Sequence, residues 1–178
     1  MYDFKAALVE VKTSNESLFG SLSRELGLKI VMSVHPAKLL TEDLYLVLGF
    51  ILSVHKHPVD IEFIRFNMTK KSTSRSVEYF VLSPAHPTRI PFLAVKRVCT
   101  FYKMVEESGV ILLNPYIHVS GVRRFAVLGG LKELNQFFEA LLKRYEAKNV
   151  KFEVVTKDIP RRLLESQFGG YRELMLNE

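Results

Sequence analysis

Residues 120–130 read "SGVRRFAVLGG", and "LKELNQFFEALLKRY" follows directly at 131–145. A strand that leaves through paired glycines into a helix is how many phosphate-binding sites begin. Gly129-Gly130 therefore decides between a nucleotide-binding fold and a different α+β arrangement. A dinucleotide fingerprint needs G-x-G-x-x-G behind a strand, with an acid about 20 residues further on. The string here is G-G-L-K-E-L, and the phosphate loop G-x-x-x-x-G-K-[ST] is absent as well. Just upstream, "VILLNPYIHV" (110–119) and "VRRFAVL" (122–128) read as two strands joined by a tight Ser120-Gly121 hairpin. The strand entering the glycines is thus antiparallel to its neighbour. It lacks the parallel βαβ setting that puts a pyrophosphate on a helix N-terminus. Gly129-Gly130 reads as a strand-to-helix corner, with at most backbone N–H groups to offer a small anion.

Working outward from that hairpin, "SVEYFVL" (76–82) predicts a strand and "FLAVKRVCTFYKMVEES" (92–108) an amphipathic helix. In that helix Phe92, Val95, Val98, Cys99, Tyr102 and Val105 face inward. A second helix is expected over 131–147, with Leu131, Leu134, Phe138, Leu141 and Tyr145 on one stripe, and "VKFEVV" (150–155) as the last strand. The order from 76 to 156 is β-α-β-β-α-β, the ferredoxin-like unit.

The first third fits the same order less fully. "FKAALVEVK" (4–12) is a strand, and Thr13 with Glu16 has capping-box spacing ahead of a helix carrying Leu18, Phe19, Leu22 and Leu26. Gly27 stops it, and "LKIVMSVHP" (28–36) is a strand. Residues 43–56 fit either a helix or a strand followed by a short helix, with Tyr45, Val47 and Phe50 leaning toward strand. "VDIEFIRFNM" (59–68) alternates and predicts a strand, and "NMTKKSTSRS" (67–76) a polar loop. The expectation is α+β: two tandem ferredoxin-like units with packed antiparallel sheets. The first, degenerate unit spans 1–70, the second 71–157, and 158–178 forms a linker or tail. "VILLN", "FAVLG" and "YFVL" are apolar on both faces, so something must cover the face that the helices leave bare.

Composition bounds the function. The chain has 178 residues, 48% of them hydrophobic, and a formal net charge of +6. No apolar run approaches the roughly 20 residues of a membrane span. The N-terminus "MYDFKAALVEVK" carries an early acid and alternates like a strand, so a signal peptide is not expected. A cytoplasmic location is expected. The positive charge permits a nucleic-acid partner, but the basic residues are scattered: Lys70, Lys71 and Arg75, then Lys96 and Arg97, then Arg123 and Arg124, then Lys143 and Arg144. The single cysteine, Cys99, reads as a small core residue. His55 and His57 lack the ligand partners that structural zinc needs, and no CxxC, HExxH or GxSxG is present. The pairs Glu106-Glu107 and Glu42-Asp43 are adjacent in sequence and would not face each other on a helix. No catalytic, metal or cofactor constellation emerges, and an enzyme is not expected.

Arg123-Arg124 is the unusual charge, since one of the two must point away from solvent if both sheet faces are covered. Arg89, Tyr116, His118 and Arg123 are the candidate ligand-binding residues.

The region 59–157 resembles the N-terminal regulatory region of archaeal bacterio-opsin-activator-like transcription regulators. The likeness rests on "VDIEFIRF", a polar hairpin, "VEYFVL", a helix, two strands and "LKELNQFFEALLKRYEAKNVKFEVV". It is one of pattern and order, and residues 1–58 fit it less well. In that family a comparable order precedes a helix-turn-helix opening with a Leu-Thr-x-x-Gln type motif; "FGGYRELMLNE" (168–178) stands in that place here. The resemblance implies a ligand-sensing or dimerising regulatory domain that is a homo-oligomer with a small-molecule or anionic effector. DNA would be reached only through a domain missing from these residues. Direct nucleic-acid binding by the basic surface, on a sheet that stacks bases, is the alternative. The sequence "VRRFAVLGG" only faintly echoes the aromatic run such sheets use. A small enzyme on the same scaffold is the third reading.

Overall fold

The structure, a computed structural model, describes residues 4–13, 17–39, 42–53, 60–72, 77–83 and 89–155. Their elements, in chain order, are β1 (Lys5–Lys12), α1 (Leu18–Glu25), β2 (Leu28–Leu39), β3 (Glu42–Ser53), α2 (Ile61–Ser72) and β4 (Val77–Leu82). There follow β5 (Arg89–Lys96), α3 (Thr100–Ser108), β6 (Ile111–Val119), β7 (Val122–Gly129), α4 (Leu131–Arg144), a 3-10 turn (Ala147–Asn149) and β8 (Val150–Val155). The protein is α+β with antiparallel strand pairing.

Two compact units form, and they interleave in sequence. One combines 1–12, 100–117 and 122–178; the other combines 13–99 and 118–121. The expected division at 70/71 does not follow these units. In the first, the strands lie in the order β6-β7-β1-β8, and in the second β4-β5-β3-β2. This differs from two consecutive ferredoxin-like units. β1 pairs with β7 and β8, not with β3 and β4, and β5 takes the place beside β3 and β4. The physical reason lies in the short link between β4 and β5. Consecutive strands joined by a few residues pair as a hairpin far more readily than they part.

In the β1 unit, α3 and α4 cover one face of the strands. Val9 and Phe125 sit opposite each other in the β1–β7 register, as do Ala7 and Val127, and all four are buried. Phe125 lies edge-on to Phe101 of α3 at 4.9 Å and to Phe137 of α4 at 6.0 Å. Helix α4 buries Leu134, Phe137 and Leu141. The expected stripe is rotated by about one position, for Leu131 is exposed and Phe138 half-buried against Phe152 of β8, at 4.8 Å. Gly130 is the α4 N-cap with extended backbone. The corner expected at Gly129-Gly130 is present, and neither glycine is held at positive φ.

In the β2 unit, Ile30, Met32, Val34, Val47, Ile51, Ile90, Phe92 and Ala94 alternate along their strands and are all buried. Phe19 of α1 packs on Phe92 at 5.4 Å, marking this as the helix-covered face. Helix α1 starts at Ser17, whose hydroxyl accepts from Gly20 N at 3.2 Å. The expected capping box is therefore replaced: Thr13 Oγ1 donates to the Gly121 carbonyl at 2.9 Å instead. Ser23 Oγ accepts from Gly121 N at 3.0 Å and donates to Gly20 O at 2.9 Å. These bonds hold the Ser120-Gly121 turn, both residues at positive φ, onto α1.

Three further expectations are corrected. Residues 61–72 form helix α2, not a strand and a polar loop. Asp60 accepts from Phe63 N at 3.0 Å as its cap, and Ile64 and Met68, one turn apart, are the buried pair. The alternation of Ile61, Phe63 and Arg65 is incidental, since Phe63 and Phe66 are exposed. Lys70 and Lys71 thus end a helix, while Arg75 lies outside the described residues. Residues 89–96 form strand β5, not the first half of a helix, because Ile90, Phe92 and Ala94 fit period two as readily as Phe92 and Val95 fit a helix. Cys99 sits in the link before α3 and is buried, the small core residue expected. Residues 42–53 are strand β3 throughout. The His55/His57 pair and the tail from 156 lie outside the described residues.

Candidate functional site

The β2 unit has one sheet face covered by helices and one turned away from them. Cross-strand register fixes which side chains share the second face, because directly paired residues point to the same side. One row is Lys29, Leu52 and Arg89; the next is Val31, Phe50 and Pro91. The third is Ser33, Leu48, Leu93 and Val81, and the fourth His35, Leu46 and Val95. Val31 is buried, and exposure rises across the sheet to 38% at both Leu48 and Val81. Leu46, Phe50, Leu52, Pro91, Leu93 and Val95 are half-buried.

This contiguous apolar strip ends in cations. Arg89 lies with its guanidinium carbon 5.8 Å from the Phe50 ring centroid, within cation–π range, so it lies across the strip. Lys29 occupies the same row two strands away, about 10 Å between Cα atoms at ordinary strand spacing. The surface can take an apolar chain along its middle and a carboxylate or phosphate at the Lys29/Arg89 end.

Arg123 and Tyr116 meet in the β1 unit. Both reach Phe101: the Tyr116 ring centroid is 5.3 Å from it, and the Arg123 guanidinium carbon sits 4.3 Å from its centroid. Arg123 is only 7% exposed, whereas Arg124 next to it points out, its Nε 3.7 Å from Glu10 Oε2. The arginine pair thus divides between the two faces of the strand. His118 is buried in the other unit, 6.3 Å from the Phe19 ring. Of the four candidate residues, Tyr116 and Arg123 share a cluster; His118 and Arg89 each stand against a different ring.

The outward face of the β1 unit carries a second feature. A cavity of about 420 Å³ is lined by Leu8, Glu10, Arg124, Lys151 and Glu153, with Val9, Phe125 and Phe152 beneath. Glu10 stands between Arg124 and Lys151 Nζ, the latter at 4.0 Å. These are long, exposed ion pairs of small energetic weight. Farther along, Lys148 is held above the usual lysine range by its hydrogen bond to Glu146 and by that carboxylate's charge.

Lys29, Leu48, Phe50, Leu93 and Val81 are absent from the residues that sequence reasoning selects. Their signal is the two-sided apolar character of "LYLVLGF" and "FLAV". Placing Lys29 in one row with Arg89 needs the strand register, which no short-range pattern carries. Among the described residues, no group of histidine, cysteine and acidic side chains is arranged to hold a metal ion, and no helix is long and apolar enough to cross a membrane. Comparison with protein-family models finds no match, and comparison with curated proteins finds none either.

Proposed function

We propose that this chain is the regulatory part of an archaeal transcription regulator of the bacterio-opsin-activator-like kind. It binds an amphipathic anionic effector and self-associates, and DNA contact belongs to a helix-turn-helix that these residues do not include. The observation that supports the reading is the open face of the β2 unit. An apolar strip of this extent on a soluble domain marks a binding surface, and the Lys29/Arg89 end sets the sign of what it binds. The buried Arg123 and Tyr116 then support the fold from within and do not line the effector site.

The architecture in this reading is a duplicated ferredoxin-like unit whose first strands have exchanged places. The chain order is β-α-β-β-α-β twice. In the split βαβ arrangement of such a unit the first strand lies between the third and fourth. β5 occupies that place beside β3 and β4, and β1 occupies it beside β7 and β8.

Deletion of the coding sequence in its host, followed by transcript profiling, tests the regulatory role. A change confined to a small set of transcripts, restored by the intact gene but not by an Arg89→Glu copy, is the expected result. An unchanged profile overturns the proposal.

A further inference from the structure

We infer that two copies of this chain join edge to edge through β8, in antiparallel register centred on Phe152. The inference names the surface for the self-association proposed above and rests on that reading. β8 is the last strand in its unit's order, so among the described residues its outer edge carries no strand. Such an edge is a template for strand addition unless it is blunted.

The occupant follows from the side chains. The strand reads Val150-Lys151-Phe152-Glu153-Val154. Antiparallel pairing about Phe152 places Val150 against Val154 of the second copy, Lys151 against its Glu153, and Phe152 against its Phe152. Every cross-strand pair is then matched in charge or apolar character, and two opposite-charge pairs form per dimer. A two-fold axis normal to the sheet keeps each face with its like. Phe152 packs on Phe138 of α4 at 4.8 Å, so the apolar pairs fall on the helix side. Lys151 approaches Glu10 at 4.0 Å on the opposite side. Beside the edge, α4 carries Leu142, 39% exposed and one turn from Phe138, and Val154 is 37% exposed. The two α4 helices would cover these residues together.

Strand β4, at one end of the other unit's order, does not have this property. β4 reads Val-Glu-Tyr-Phe-Val-Leu, a sequence with an acid and no cation. A register shift between Val77 and Tyr79 also interrupts its pairing with β5, and irregular edges resist strand addition.

The test is a charge swap read by sedimentation velocity between about 1 and 100 µM. The wild-type chain is expected to dimerise. Lys151→Glu and Glu153→Lys, each placing like charges in both pairs, should weaken the dimer about tenfold or more. The double variant K151E/E153K should return it to near wild-type strength. Circular dichroism melts of each variant separate loss of association from loss of fold. As a register check, K151C and E153C variants mixed under mild oxidation should give a covalent dimer in high yield, and neither variant alone should. The one natural cysteine, Cys99, is buried. A dimer indifferent to both single reversals overturns the β8 surface and leaves self-association standing. A monomer at 100 µM overturns both.

Discussion

Substituting Gly49 with alanine tests the packing that presents the apolar strip. Gly49 lies in the middle of β3, opposite Met32 on β2 and Phe92 on β5. A methyl group added there runs into the carbonyl oxygen of Val31. It also comes within 2.9 Å of both Met32 Cα and Phe92 Cε1. Two of these three obstacles are backbone, so a rotamer change cannot relieve them; β2 must move away from β3. Overpacking of a rigid site costs about 3 kcal/mol at the upper end of the usual range. Removing a glycine from a strand returns about 0.5–1 kcal/mol of backbone entropy. The net loss is about 2 kcal/mol, which for a chain of this length lowers Tm by about 4–8 °C. Gly129→Ala is the control, because its methyl group meets Val110 Cγ1 at 3.3 Å and Glu133 Cβ at 3.4 Å, both side-chain atoms. It should leave Tm within about 2 °C of wild type. Differential scanning calorimetry of the two variants, with G49A/F92L added, decides the matter. Trimming the ring should not rescue G49A, since the Val31 carbonyl remains. A G49A protein that melts with wild type, or full rescue by F92L, would refute the reasoning.

Other consequences are open to direct measurement. Dodecanoate should bind the protein more tightly than 1-dodecanol by isothermal titration, and Arg89→Ala should remove most of that preference; equal affinity for the two ligands would place the site elsewhere. Thr13→Val keeps the side chain's shape but deletes the buried hydroxyl donor to Gly121, so urea unfolding should show a loss of about 1–2 kcal/mol, and a neutral result would deny that bond a structural role. Arg123→Met should keep the fold yet lower stability by about 1–2 kcal/mol, through loss of the desolvated contact with Phe101; because that residue lies inside the β1 unit, dodecanoate affinity should be unchanged.

What could be read without the structure was local. β1, β6, β7, β8 and α4 are each bounded by glycine or a turn, and each appears within a few residues of its expected place. The errors lie where two periods coexist. "IEFIRFNM" satisfies alternation through Ile61, Phe63 and Arg65 and helical spacing through Ile64 and Met68, and burial chose the helix. "RIPFLAV" went the other way, because its position between β4 and β3 gives it hydrogen-bonding partners on both edges. The division of Arg123 and Arg124 between opposite faces follows from strand alternation alone. That Arg123 meets a phenylalanine of α3 does not follow from it, nor does the row shared by Lys29 and Arg89. Those depend on which strands are neighbours, and the observed strand order does not follow the order of elements along the chain.

The strand order and the two proposed surfaces have a common origin. With a link of only 83–88 between them, β4 and β5 close as a hairpin, and β5 fills the slot next to β3. β1 must then find its partners elsewhere, and it does so between β7 and β8. Both units are completed by a strand from the other half of the chain, so neither half of the sequence holds a whole sheet. A displacement of β5 would alter the strip that carries Arg89 and at the same time remove the filling strand of the β2 unit. In the proposed reading, a ligand at Arg89 would bear on the completeness of the sheet itself, because the strand that carries this cation also carries the ladders to β3 and β4.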